Sequence, residues 1–320
     1  MPLPLQVALI VLGAVVILFV IPTLCSSIYA YRHTFYMPKK RVDNSHNVPS
    51  NPKYEGIREA MLSLVDELMG LPFEEIYIKS FDGLRLFGRY YHAKDGAPLQ
   101  IQMHGYRGDA YRDFCGGHKM AREMGHNILL IDQRGHGKSE GSTTTFGLNE
   151  SRDCVSWAKY ASLRFGKDTP IFLVGISMGG ACVLTASSQD LPSSVKGIIA
   201  DCPFSKPKKI IKKVCTDWGL NATLIYPIVR LGALLFGHFN LERTSAEEAV
   251  SKTKIPVLLL HGEDDAFVPA YLSDEIYSAC SSKKFIYKFE GADHGLSYFA
   301  DTEGYKKACK DFISLCQERS

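Results

Sequence analysis

The chain has 320 residues, of which 46% are hydrophobic and 22% charged, with a formal net charge of +3. That composition excludes wholesale disorder and leaves room for one large α/β domain or two smaller ones. The charge is too weak to point to nucleic acid, so no such partner is expected. The nine cysteines are odd in number, scattered, and include no C-x-x-C pair. They read as reduced, partly buried thiols rather than a disulfide framework or a zinc site.

The first element is an apolar run, Val7–Leu24, VALIVLGAVVILFVIPTL, and no charged side chain appears before Arg32. A helix needs roughly 20 apolar residues to cross a bilayer, so this run predicts a transmembrane anchor. Tyr29, Tyr31, Phe35 and Tyr36 follow as an interfacial aromatic belt would. Arg32, Lys39, Lys40 and Arg41 then form a basic flank, so residues 1–41 read as anchor plus flank. The segment before the run, MPLPLQ, has no Lys or Arg, and no clear cleavage site follows, which favours an anchor over a removed signal peptide. Basic residues on the C-terminal side predict an N-out, C-in orientation with the main domain cytoplasmic.

Residues 42–70 read as a linker and an amphipathic helix. The polar stretch 42–55 carries two prolines, and Glu55–Gly70 repeats apolar residues at helical spacing through Ile57, Met61, Leu64, Val65 and Leu68. That helix is expected to pack on the domain that follows.

A regular alternation begins next. Strands are predicted at Ile76–Phe81 and Leu84–Tyr91, joined by the hairpin signal Asp82-Gly83. Further strands are predicted at Leu99–Met103, Asn127–Asp132, Ile171–Gly175, Gly197–Asp201, Val257–His261 and Phe285–Phe289. Helices fall between them at Phe114–Met124, Glu150–Arg164, Met178–Ser187, Ala270–Cys280 and Glu303–Cys316. This order predicts a mostly parallel, doubly wound sheet with helices on both faces and an antiparallel edge. Residues 205–250 break the rhythm, are too long for a simple connection, and read as an inserted helical cap.

One joint carries chemistry. Gly175-Ile176-Ser177-Met178-Gly179 is G-x-S-x-G between a predicted strand and a predicted helix. A bare match arises by chance in roughly a tenth of chains this long. At a strand–helix joint it predicts a sharp turn that lifts the Ser177 hydroxyl above the carboxyl ends of the strands. Glycines are needed there because a Cβ at either flank would strike neighbouring backbone. A serine is a weak nucleophile without a base, and the base needs an orienting acid. Two later loops offer them: His261-Gly262-Glu263-Asp264-Asp265-Ala266-Phe267-Val268-Pro269, and Gly291-Ala292-Asp293-His294-Gly295.

These motifs resemble the α/β-hydrolase superfamily over roughly residues 70–317. The H-G-x-x-D-x-x-V-P pattern implies Asp265 as the acid, and D-H-G implies His294 as the base. The loop MHGYRGD implies an oxyanion-hole amide from Tyr106, with a second from Met178. Asp132–Ser139 is similar to the D-x-R-G-x-G-x-S loop of that superfamily. The chain most resembles membrane-anchored bacterial serine hydrolases of esterase or lipase type. The resemblance implies an α/β-hydrolase domain at residues 71–204 and 251–320 with its cap at 205–250. It implies cleavage of carboxylic esters, hydrophobic or lipid-like, through an acyl-enzyme. An acyltransferase or thioesterase would use the same three residues, and a non-catalytic binding module would keep only the fold. No metal or organic cofactor is implied.

The cap opens with Lys206, Lys208, Lys209, Lys212 and Lys213 around a small apolar stripe. It reads either as an ordinary charged helix face or as a basic element turned toward anionic headgroups. Expected partners are therefore a small ester or lipid substrate and membrane lipids.

Overall fold

The computed structural model describes residues 2–38, 46–49 and 52–318. Lys39, Lys40 and Arg41 of the basic flank, and linker residues 42–45, 50 and 51, lie outside the described residues.

Eight strands form one sheet: β1 Glu74–Lys79, β2 Arg85–Tyr91, β3 Leu99–Met103, β4 Asn127–Asp132, β5 Ile171–Ile176, β6 Val195–Asp201, β7 Val257–Gly262 and β8 Lys284–Phe289. Their order is β1-β2-β4-β3-β5-β6-β7-β8. β2 runs antiparallel to both β1 and β4, and all other pairs are parallel. At the β1–β2 turn, Ser80 N donates to Leu84 O at 2.8 Å, and Gly83 takes φ +92°. That left-handed backbone is why glycine follows Asp82.

Alternate residues of the central strands feed two cores, as a two-sided sheet demands. Leu99, Ile101, Met103, Leu173 and Leu259 face the helices Glu150–Phe165 and Met178–Ala186, where Trp157 is fully buried. Ile128, Leu130, Phe172, Val174 and Leu258 face the helices Ala110–Glu123 and Thr302–Gln317. The helix Arg58–Met69 lies outside Ala110–Glu123 and buries Met61, Val65 and Leu68.

Between β6 and β7 stand three helices, Pro207–Asp217, Ala222–Leu235 and Ala246–Val250. The first two join an apolar cluster above the end of the sheet, while Ala246 and Val250 enter the main core. Four cap lysines face acids: Lys206 Glu247, Lys208 Glu242, Lys209 Glu275 and Lys213 Asp217. The basic character visible in sequence is therefore largely neutralised where it stands.

The N-terminal element is a single helix, Leu3–Thr34, with a π-type turn at Val16–Val20. Its most apolar stretch is wholly exposed, and the helix is long and apolar enough to cross a membrane. Its last turns are docked. Ser27 is fully buried, Phe35 meets Phe146 and Phe239 edge-on at 5.6 and 5.1 Å, and Tyr31 Oη shares a 2.7 Å hydrogen bond with Thr143 Oγ1. All nine cysteines stand outside disulfides, and eight of them are buried.

Candidate active site

Ser177 stands between β5 and the helix Met178–Ala186 with φ 56° and ψ −115°. A non-glycine residue in that region is strained, and here the surrounding contacts hold it. Its N–H donates to Asp201 O on β6 at 2.8 Å. The flanking glycines are required by close backbone approach. A Cβ on Gly175 would lie 2.2 Å from Gly179 O, and one on Gly179 would lie 1.9 Å from Met103 O. The turn thus seats the hydroxyl above the sheet at the expected joint.

The three residues singled out from sequence meet there. Ser177 Oγ lies 2.9 Å from His294 Nε2, and His294 Nδ1 lies 2.7 Å from Asp265 Oδ2. The tautomer that satisfies both has Nδ1–H donating to the carboxylate and Nε2 accepting the serine proton. Asp265 is buried, and its Oδ1 accepts from the Phe267 and Val268 amides at 2.9 and 2.7 Å. Burial alone would raise its pKa. Hydrogen bonds from His261 and His294, with the Val268 amide, outweigh that and hold the carboxyl well below its usual range. Burial likewise pulls the His294 pKa down. The hydrogen bond and charge of Asp265, with Asp201 and Asp113 beyond, together raise it above the ordinary histidine value. Asp265 therefore stays ionised and favours the protonated form of the imidazole, as an orienting acid should.

Met178 follows Ser177 directly, and Tyr106 stands in the loop after β3. Met178 opens its helix, so its N–H belongs to the first turn, whose amides lack helical acceptors. Tyr106 follows Gly105, where a Cβ would stand 3.4 Å from Ser177 Cβ. Asp113, on the helix Ala110–Glu123, accepts from Gly105 N at 2.9 Å and crowds Gly108, where a Cβ would fall 2.1 Å from its Oδ2. Asp113 thus holds the turn that carries Tyr106. Sequence reasoning missed it, because it started that helix at Phe114. The signal was Asp109, whose side chain caps the helix by accepting from Tyr111 and Arg112 N.

The N-terminal segments also reach this site. Tyr106 Oη donates to Thr34 O at 2.8 Å, and Arg107 Nη2 donates to His33 O at 2.7 Å. The last carbonyls of the N-terminal helix are thereby satisfied by the same loop. From the other side, Tyr54 Oη donates to His294 O at 3.4 Å, and burial pushes its pKa up to about 12.

The neighbouring acids do other work. Asp201 bonds Ser297 Oγ at 3.2 Å, and burial pushes its carboxyl up to about 6. Glu263 and Asp264 are exposed. His261 donates from Nε2 to Val268 O at 2.8 Å and accepts at Nδ1 from Ser273 Oγ at 2.6 Å, tying the acid loop to the helix Tyr271–Ala279. Arg134 is locked to Asp153 at 2.6 Å and Asp82 at 2.9 Å, away from Ser177. Among the described residues, Cys202, Asp265 and His294 bring their donor atoms within 4.8 Å of one another. Both His294 nitrogens and the facing Asp265 oxygen are already engaged, and burial raises the Cys202 thiol pKa. The trio suits proton transfer better than a metal.

Residues 103–221 match the family described as alpha/beta hydrolase fold. The chain has the α/β-hydrolase fold. The chain is 28% identical over 195 residues to the uncharacterized protein YqkD of Bacillus subtilis, covering 60% of the chain and 63% of YqkD. It is 26% identical over 300 residues to the lysophosphatidylserine lipase ABHD12 of Danio rerio, covering 85% of the chain and 72% of that protein. The match spans 63%, 62% and 58% of the length of the first three curated relatives. Among solved structures it resembles the Pyrococcus furiosus esterase Pf2001, with a TM-score of 0.62 at 20% identity over 78% of the chain and 92% of the esterase. That likeness is one of fold.

Proposed function

We propose that this α/β-hydrolase is a serine ester hydrolase acting through an acyl-enzyme. The observation that carries the reading is the relay Ser177 Oγ, His294 Nε2, His294 Nδ1, Asp265 Oδ2, with links of 2.9 and 2.7 Å. His294 takes the Ser177 proton as Oγ attacks the ester carbonyl. The amides of Tyr106 and Met178 receive the developing oxyanion, each worth about 3 kcal/mol of barrier. His294 then protonates the leaving alcohol. Water, deprotonated by His294, releases the acid and restores the serine. Asp265 stays ionised throughout and holds the imidazole tautomer.

An apolar acyl group suits the surroundings. Tyr31, Phe35, Phe146, Phe204 and Tyr226 cluster with Met178 and Tyr106 beside the nucleophile. A lysophospholipid lipase and an esterase among the similar proteins favour the same chemistry. Membrane lipids are the proposed setting, with Leu3–Thr34 as the span. Arg32, Lys39, Lys40 and Arg41 after the apolar run favour an N-out, C-in orientation and a cytoplasmic catalytic domain.

The test is hydrolysis of p-nitrophenyl esters of increasing acyl length by the full chain in detergent. The reading expects turnover that rises from acetyl to longer acyl groups and disappears in Ser177→Ala. Equal turnover by both proteins would remove Ser177 from the chemistry.

A further inference from the structure

The anchor and the cap helix Ala222–Leu235 advance side by side. Ser27 meets Gly232, Tyr31 lies 6.2 Å from Phe236 ring to ring, and Phe35 lies 5.1 Å from Phe239. The contacts occur in the same order along both segments, so the helices run in the same sense. The N-terminal end of the cap helix therefore points back along the anchor toward its apolar stretch.

Lengths place that end. The 32 residues of Leu3–Thr34 extend about 48 Å. A hydrocarbon core is about 30 Å thick. The crossing at Ser27 stands three residues beyond Leu24, where the apolar run ends, or about 4.5 Å along the helix. From Gly232 back to Leu224 the cap helix covers about 12 Å. This brings Leu224 and the turn before it to the depth of headgroups and shallow acyl chains.

The side chains at that depth are apolar and uncovered. Trp218 is 74% exposed and Leu224 67%, with Leu220 also exposed, while the exposed Leu234 and Leu235 stand past Gly232 at the other end of the helix. Single exposed apolar residues are ordinary, but Trp218, Leu220 and Leu224 close together form a patch that needs an occupant. Tyr226, Val229, Gly232 and Ala233 are buried, and the outward residues Leu224, Pro227, Leu234 and Leu235 are interrupted by Thr223 and by Arg230, which pairs with Glu242. A tryptophan at the rim is the residue that bilayer interfaces favour.

We propose that Trp218, Leu220 and Leu224, at the N-terminal end of the cap helix, are a membrane-docking surface. It sits in the same leaflet that the anchor enters near Leu24. The occupant is lipid, because the patch is continuous with a helix built to lie in lipid. Lys206, Lys208, Lys209 and Lys213 before this segment are each held by an acid. The apolar cluster beside Ser177 then lies directly behind lipid-facing residues, and an acyl chain reaches it from the bilayer without crossing water. The inference rests on reading Leu3–Thr34 as a membrane span.

Trp218 is its own reporter, since the second tryptophan, Trp157, is fully buried in the core. The full chain is reconstituted into phosphatidylcholine vesicles, and Trp218 emission is taken as the difference between wild type and Trp218→Phe. Acyl chains brominated near their carbonyl ends should quench most of that difference, and aqueous iodide should not. Leu224→Trp in the Trp218→Phe background supplies a second reporter on the same face and should behave alike. Flotation after a carbonate wash separately reads whether the anchor is integral. Protein that floats while Trp218 is open to iodide and untouched by bromine overturns the docking surface alone. Shielding from both quenchers means that protein covers the patch, and overturns it too. Protein that washes off the vesicles overturns the membrane span and the docking surface together.

Discussion

Gly232 of the cap lies so close to Ser27 of the anchor that a Cβ on the glycine would stand 2.4 Å from the Ser27 carbonyl oxygen. Neither backbone can yield locally, because Ser27 is inside a helix and Gly232 is buried in another. Gly232→Val should therefore separate anchor from cap. We expect a loss of about 1–3 kcal/mol, as for other overpacked contacts, seen as a lower Tm in detergent. Turnover should fall with it, because the displaced helix end releases Tyr106 and Arg107.

Asp265→Asn keeps the shape of the acid loop but removes the charge that selects the Nδ1–H tautomer. By analogy with other Ser-His-Asp sites, kcat should fall about 10⁴-fold. KM should change little, since Asp265 is buried behind the imidazole. Steady-state kinetics on a soluble ester checks both.

The pH dependence follows from two opposite shifts. His294 must be neutral to act as base, and its pKa is raised by Asp265 despite burial. The acid limb of log kcat/KM should therefore have its midpoint above the ordinary histidine value of about 6.5. Stability runs the other way. A raised folded-state pKa contributes stability below about pH 6.5 and loses it as pH climbs through the folded value. Asp265, whose pKa is depressed, contributes stability above about pH 4 and loses it as pH falls further. The pair should thus stabilise the fold most between about pH 4 and 6.5, below the range of best activity. Thermal unfolding of wild type and Asp265→Asn across pH reads this window.

Asp113 touches neither Ser177 nor His294 by hydrogen bond, yet it holds the Gly105 amide and crowds Gly108. Asp113→Asn should loosen the turn that presents the Tyr106 amide. The expected cost is mainly in kcat, up to about 10²-fold, approaching the loss of one oxyanion donor. The KM for a short soluble ester should hold. A purely structural role would lower Tm and leave kcat of the folded protein intact.

The central strands were legible because each is a short apolar run closed by Gly, Asp or His. Leu99–Met103 and Asn127–Asp132 fall where the pattern placed them. The elbow at Ser177 was legible because both glycines answer to sterics that any such turn imposes. The helix start at Ala110 was not, since its first turn is polar and only the cap at Asp109 marks it. Partners across the fold were also invisible. Nothing local ties Asp113 to Gly105, Tyr54 to His294, or Gly232 to Ser27. The lysines at the head of the cap advertised a positive face, but Glu242, Glu247 and Glu275, which hold three of them, lie far along the chain. The apolar run at the N-terminus announced a long apolar helix but not that its last carbonyls bond Tyr106 and Arg107.

The account stands on an activated serine at the elbow. The most direct measurement is labelling of the full chain in detergent with a fluorophosphonate, followed by mass analysis of the modified peptide. The account predicts one adduct, on Ser177, abolished in Ser177→Ala and strongly slowed in Asp265→Asn. A folded wild-type protein that takes no label, or takes it elsewhere, would contradict the account.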